Sequence, residues 1–240
     1  MYADDLILLS ISVRDLQLLV DLCKTELNKI GLIINMSKTK CMRMGSRHGC
    51  EAVPIEIGEN KLDWVKELKY LGIVFMSAHQ FKVNFQGARQ KFFRASNGIL
   101  GKIGAESSPS VIVSLIESYC VPVLLYSVDS VICNKSVIDK MENSYSQVFS
   151  KIFKTYDKNV LKQCQYFMNQ LPVDLKIVCR KINFLKGLQS SKNDLCKLLH
   201  NINAKNELLD LCNLYNIPVA NVCRYNVKSY MWNVFESRLE

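Results

Sequence analysis

Two acidic residues directly before a continuous apolar run place the strongest constraint on how this chain can fold. Asp4-Asp5 is followed at once by Leu6-Ile7-Leu8-Leu9. A short run with no polar break reads as a strand buried on both faces, so the pair is expected at a turn that feeds a core strand. Adjacent carboxylates repel, and burying them without partners is costly. A chain that holds them at the mouth of a core needs a cation there. Hard oxygen ligands suit Mg²⁺, which takes one or two carboxylates and completes its shell with water or substrate phosphates. A solvated Asp-Asp turn is the plainer reading of the pair by itself.

Downstream, Ser12 followed by Asp15 has the form of a capping box, and Gly31 is placed as a helix C-cap. Between them Leu16, Leu19, Val20, Cys23, Leu27 and Ile30 recur at three- and four-residue spacing, which predicts an amphipathic helix with one buried stripe. Strands are expected at Leu32–Ile34 and Thr39–Met44, and a hairpin at Val53–Ile57 and Lys61–Trp64 around Gly58-Glu59-Asn60. Lys69–Phe75 is the last strong strand signal. After about residue 78 the period changes. Phe81, Phe85, Ala88, Phe92, Ala95 and Ile99 sit at helical spacing, closed by Gly98, Gly101 and Gly104. Pro109 fits the first turn of a helix running to about Cys120, Pro122–Ile132 reads as a buried helix, and Ser136 can cap a helix carrying Met141, Tyr145, Val148 and Phe149. Further helices are expected over 160–240, broken near Leu171-Pro172, Ser190-Ser191 and Ile217-Pro218. The fold class that follows is α+β, with a strand-rich first third and a helical remainder.

Composition narrows the partners. With 49% hydrophobic and 22% charged residues over 240 positions, the chain is globular rather than disordered. No apolar run approaches the ~20 residues that span a bilayer, and no signal peptide is visible, so no membrane partner is expected. The ten cysteines are scattered with no Cys-x-x-Cys pair, as reduced thiols of an intracellular (nuclear or cytoplasmic) protein would be. Cys41…His48-x-Cys50 lacks a fourth ligand at standard spacing. Charge is uneven: residues 151–200 hold ten Lys/Arg against three Asp/Glu, a net of +7 within a whole-chain +9. Such a block is the electrostatic footprint of a polyphosphate partner or, more plainly, a solvated helical face.

Four pieces in order carry a resemblance: Tyr2-Ala3-Asp4-Asp5-Leu6-Ile7-Leu8-Leu9-Ser10; Gly31-Leu32 with Asn35-Met36-Ser37-Lys38-Thr39-Lys40; Tyr70-Leu71-Gly72; and Pro122, Leu125-Tyr126 with Leu171-Pro172 beyond. Together they resemble the C-terminal half of a reverse transcriptase from a non-LTR retrotransposon (LINE-type, of the jockey kind). The resemblance implies a division into the end of the palm (1–77), a helical thumb (78–160) and a helical C-terminal region (161–240). It implies an RNA-directed DNA polymerase that takes an RNA template, a DNA primer and nucleoside triphosphates, with Mg²⁺ as cofactor. Phosphoryl transfer is largely positioning and charge neutralisation, and a two-metal site supplies both.

By that resemblance Asp4 and Asp5 ligate metal. Tyr2 and Ala3 face the primer end and nucleotide. Lys38 stands near the triphosphate, where a cation offsets developing charge or donates a proton. A strand-edge lysine is the alternative for Lys38, and Lys40 competes for its role. Tyr70, Leu71 and Gly72 match the turn that grips the primer, the glycine allowing close backbone approach. Lys82, Arg89, Lys91 and Arg94 form a basic face along the template–primer phosphates or a solvated one. The family's other metal-binding aspartate and its fingers lie upstream of Tyr-x-Asp-Asp, and here only Met1 precedes Tyr2. The expectation is therefore a piece that does not polymerise by itself and exposes apolar palm surface. No Cys-Cys-His-Cys knuckle is present, since Cys196, His200, Cys212 and Cys223 are wrongly spaced.

Overall fold

The computed structural model describes residues 4–103, 107–218 and 224–239, with backbone alone at 224–226. It is α+β and divides into two compact units, Met1–Asn84 and Phe85–Glu240.

In the first unit, helix α1 (Val13–Lys29) begins where Ser12 accepts the Asp15 N–H at 3.0 Å while its hydroxyl donates to the Asp15 carboxylate at 2.7 Å. It ends in a Schellman motif: the Gly31 N–H bonds the Asn28 carbonyl at 3.1 Å and the Leu32 N–H bonds the Leu27 carbonyl at 2.9 Å. Gly31 adopts φ +74°, the left-handed conformation that this motif demands. Strands β1 (Ile55–Ile57) and β2 (Asn60–Leu62) form the expected hairpin, each two residues shorter at its open end, with Asn60 joining β2 at the turn. The Gln17 side chain clamps α1 to β1: its amide donates to the Glu56 carbonyl and its oxygen accepts the Glu56 N–H, both at 2.8 Å. A side-chain amide thus stands in for a neighbouring strand. The core here is small, formed by Val20, Cys41, Ile55, Ile57 and Leu62 with Leu8, Leu16, Ile34, Met36 and Trp64 against it.

A second antiparallel sheet runs in the order β3 (Glu67–Tyr70), β4 (Ile73–Met76), β5 (Lys82–Asn84). Lys69–Phe75 is therefore two strands around a turn. Three expected strands do not form. Residues 6–10 and 32–35 are irregular, and of 39–44 only Cys41 pairs, in a single parallel bridge with Trp64. Leu9 and Ile33 are 82% and 91% exposed, against the expected burial. An extended segment becomes a strand only when another backbone accepts its ladder, and the described residues offer none to 6–10 or 32–35.

The second unit is helical. Helix α2 spans Gln86–Ile103 and passes through Gly98 and Gly101, while Gly104 lies outside the described residues. Phe81 is not in it; it is exposed and meets Phe75 edge-on at 5.5 Å. Helix α3 (Pro109–Leu115) widens into a π turn (Ile116–Cys120) and re-forms as α4 (Val121–Leu124). Pro122 has no N–H to donate into the α ladder, and the wide turn lies just ahead of it. The expected buried helix over Pro122–Ile132 ends at Leu124, and turns follow. Leu124, Leu125, Val128 and Val131 are buried all the same, so the apolar run marked burial rather than helix.

Helix α5 (Lys135–Phe153) is capped by Asn134, two residues before the expected Ser136, through a 3.0 Å bond from the Val137 N–H. It buries Met141, Tyr145, Val148 and Phe149 completely. Helices α6 (Lys158–Phe167) and α7 (Val173–Ser190) follow, with the breaks near 171 and 190 where expected. Helix α8 (Asp194–Leu199) continues through a second π turn (His200–Ala204) into α9 (Lys205–Leu214), and α10 covers Arg224–Glu236. Leu175, Ile182 and Leu185 of α7 share a core with Leu208 and Cys212 of α9 and with Val227, Met231 and Phe235 of α10. Among the described residues, no helix is long and apolar enough to cross a membrane.

Candidate metal and nucleic-acid site

Asp4 lies in a turn and Asp5 at a single bridge position, both exposed. The expected turn before the strand is thus present, but the strand is not, and the two carboxylates stand in solvent rather than at a buried mouth. Their donor set suits a hard divalent cation, two carboxylates with the remaining positions open to water or phosphate. Among the described residues no group of three or more Asp, Glu, His or Cys converges as a metal cluster. Tyr2 and Ala3 lie outside the described residues.

The Lys38 segment is built by Asn35. The Asn35 side-chain oxygen accepts the Lys38 N–H at 3.2 Å and the Ser37 hydroxyl at 2.7 Å, and its carbonyl accepts the Thr39 N–H and hydroxyl at 3.0 and 2.8 Å. A side-chain oxygen that bonds the N–H three residues on, with the carbonyl bonds beside it, folds the backbone back on itself, and the Lys38 side chain is exposed. Lys40, the competitor for its role, is engaged elsewhere, paired with Asp63 at 2.7 Å. Leu8, three positions after Asp5, and Met36, two before Lys38, pack on the same small core. The first two motifs are therefore neighbours around one set of side chains, although the sequence separates them by a helix.

Tyr70-Leu71-Gly72 closes the β3–β4 hairpin. Tyr70 pairs with Ile73, so Leu71 and Gly72 are the whole loop, at φ +47° and +82°. Two positive φ angles in a two-residue loop match the twist of the flanking strands, and glycine takes one at no steric cost. Leucine at the other is strained by roughly 1–2 kcal/mol. Such strain is kept where surroundings over-determine it, a recurrent feature of ligand-gripping turns.

The four expected phosphate contacts separate. Lys82 is on β5 in the first unit, exposed, and not on the helix. Arg89 turns inward, its Nε donating to the Ser144 hydroxyl at 2.9 Å. Lys91 and Arg94 are exposed at i, i+3 on α2 and share a face that Arg89 does not.

A polar cluster in the second unit went unremarked in the sequence. Lys176 donates from Nζ to Glu117 Oε1 at 2.6 Å and to the Tyr145 hydroxyl at 3.0 Å, lies 4.4 Å over the Tyr145 ring, and the Tyr145 hydroxyl also donates to Glu117. Burial pushes the Lys176 ammonium below its usual range, opposed by Glu117. Burial and the Glu117 charge hold the Tyr145 hydroxyl well above its own. Beside it, Glu142 accepts the Val173 N–H at 2.7 Å and so caps α7, while burial raises its carboxyl above the ordinary range. The available signal was a charge inside an apolar helix: Glu117 sits amid Ile112, Val113, Ile116 and Val121.

Residues 1–75 match the family described as reverse transcriptase (RNA-dependent DNA polymerase). No curated protein and no solved structure matches the chain. The match takes in Asp4-Asp5, the Asn35 turn and Tyr70-Leu71-Gly72, and stops before β5.

Proposed function

We propose that the chain is part of an RNA-directed DNA polymerase, the reverse transcriptase of a non-LTR retrotransposon of the LINE type, and that it comprises the end of the palm (1–77), the thumb (78–160) and a helical C-terminal region (161–240). The observation that carries this reading is the coincidence of the family match over residues 1–75 with two built turns at the motif positions, Asn35–Thr39 and Leu71-Gly72. Chance similarity does not require Asn35 to fold its own turn under Lys38, or a strained leucine beside Gly72.

In the complete enzyme the substrates are a primer on an RNA template and a nucleoside triphosphate. The Asp4 and Asp5 carboxylates hold divalent cation, Mg²⁺ in our reading, which when bound lowers the charge barrier to attack on the α-phosphate. Lys38, exposed on the turn that Asn35 closes, offsets charge on the triphosphate or donates a proton to the departing pyrophosphate. By the resemblance Tyr2 and Ala3 are assigned to the primer end and nucleotide, and Tyr70-Leu71-Gly72 to the grip on the primer strand. Lys82, Lys91 and Arg94 are exposed and can meet backbone phosphates, while Arg89 is half-buried with its Nε donating to Ser144.

Two-metal chemistry needs more anchoring than two exposed neighbouring carboxylates. The chain is therefore expected not to extend a primer unaided. Template-dependent DNA synthesis by the purified chain with Mg²⁺ in a primer-extension assay overturns that expectation. A second reading, a non-catalytic nucleic-acid-binding remnant, draws on the basic block at 151–200, with ten Lys/Arg against three Asp/Glu. Binding of primer–template with a steep salt dependence and no extension at any Mg²⁺ concentration favours it.

A further inference from the structure

The second unit contains a cleft of about 360 Å³ between the π turn, the loop before α7, one face of α7 and the start of α10. That is within the range of small-ligand sites, roughly 300–1,000 Å³. Its chemistry is one-sided. Lys176, Arg180 and Asn183 stand at i, i+4 and i+7 on α7 and form a single stripe into the cleft, beside Lys228 of α10 and the amides of Asn169 and Gln170. Against three cations the lining has one acid, Glu117, already engaged by Lys176 at 2.6 Å. Among the described residues neither Arg180 nor Lys228 has an acid within ion-pair distance.

Like charges at i, i+4 destabilise a helix, so Lys176 and Arg180 together call for an anion. Glu117 answers for the buried one only. Lys176 is fixed as the floor by its bonds to Glu117 and Tyr145, which leaves Arg180 half-buried on the wall and Lys228 exposed at the rim. Lys228 is near enough that its charge contributes to lowering the Lys176 ammonium. Asn169 reaches the rim from a left-handed turn, φ +55°, which asparagine tolerates better than most residues. Opposite the cations Val121 and Leu125 supply an apolar wall.

We infer that this cleft binds the phosphodiester backbone of a nucleic-acid strand, with Arg180 and Lys228 on a phosphate and the Asn169 and Asn183 amides on phosphate or sugar oxygens. A guanidinium presents paired N–H donors that match two phosphate oxygens, and an ammonium adds a point charge. Amides are the usual accompaniment to such cations along a backbone. A site lying outside the matched segment would give the chain a second hold on its substrate, remote in sequence from Asp4-Asp5. The inference rests on the reading that the chain binds nucleic acid.

The test is fluorescence anisotropy of a labelled mixed-sequence RNA strand with the full chain over a salt series, comparing the unaltered protein with R180Q/K228Q. Each phosphate contact to a single strand contributes about 0.7 to the slope of log affinity against log salt, so the double variant, which loses both cations on one phosphate, is expected to bind more weakly with a slope lower by about 0.7. R180K, which keeps the charge, is expected to keep most of the slope. Since neither cation has an acid partner among the described residues and R180Q relieves the repulsion from Lys176, the double variant should melt no lower than the unaltered protein. An unchanged slope in R180Q/K228Q overturns the cleft alone, whereas no RNA binding by the unaltered chain overturns both the cleft and the nucleic-acid reading. Selective displacement by a nucleoside triphosphate at matched ionic strength overturns the strand in favour of a free nucleotide. Equal displacement by polyglutamate overturns phosphate recognition in favour of an acidic polypeptide.

Discussion

The two units bury their apolar residues very differently. In the second, Phe92, Tyr145, Phe149, Leu175 and Ile182 are completely enclosed by helices that pack on one another. In the first, Ile55 alone of the small core is completely enclosed, and Leu9, Ile11, Leu18, Leu22, Ile30 and Ile33 stand largely in solvent. Yet it is the first unit that carries the recognisable motifs and the family match. The stretch that is most specific in sequence is the least supported by packing. The motifs are held by turn chemistry and exposed charge, which are local, whereas stability comes from apolar area removed from water, which is not.

The two tryptophans allow this contrast to be measured, because Trp64 lies in the first unit and Trp232 in the second. With W64F and W232F each unit is observed alone in urea, and the Trp64 transition is expected at lower urea. Coincident transitions would break the comparison, since they would make the chain one cooperative body. The largest single effect is expected from Phe149→Ala, which removes a fully enclosed ring and should cost the Trp232 transition about 3–5 kcal/mol with little change at Trp64.

Lys176→Met should cost nearly as much, about 3 kcal/mol, because it strands the Glu117 carboxylate and the Tyr145 hydroxyl without their cation. The double variant Lys176→Met/Glu117→Gln should recover part of that loss. No recovery would mean that packing of the lysine stem, rather than its charge, matters there. Leu71→Asn is expected to move the Trp64 transition the other way, up by about 1 kcal/mol, through relief of the left-handed leucine. A loss of stability instead would show that the leucine side chain packs in a way that outweighs its backbone strain. Smallest in stability is L18K/L22K on the outer face of α1, within about 0.5 kcal/mol per site. Its readout is light scattering: the variant should stay dispersed where the unaltered chain self-associates through that face. A monodisperse unaltered chain would remove the premise.

Much of the helical architecture was legible because a helix closes its hydrogen bonds within itself. The capping of α1 by Ser12, its end at Gly31, the face of α5 and the breaks near Leu171 and Ser190 all follow from residues a few positions apart. The strand errors share one cause. Leu6–Leu9, Leu32–Ile34 and most of Thr39–Met44 have strand composition, yet a strand is completed by a partner that local pattern does not supply. Pro122–Ile132 failed from the opposite side, since burial there is real and the helix is not. In the candidate site the Asn35 turn and the Leu71-Gly72 loop were readable as motifs, but that Arg89 would turn to Ser144 was not, because Ser144 is 55 positions away.

By itself the sequence determined where local turns and charge fall: the turn at Asn35–Ser37 before Lys38, the turn at Tyr70-Leu71-Gly72 and the juxtaposed acids at 4 and 5. Tertiary structure alone decided which cations remain free. It pairs Lys40 with Asp63 and Lys176 with Glu117, turns the Arg89 Nε toward the neutral Ser144 hydroxyl, and leaves Arg180 and Lys228 beside one cleft with no ion-pair partner among the described residues. The reason is physical: a charge is neutralised by whatever lies within a few ångströms in space, and distance along the chain does not report that separation.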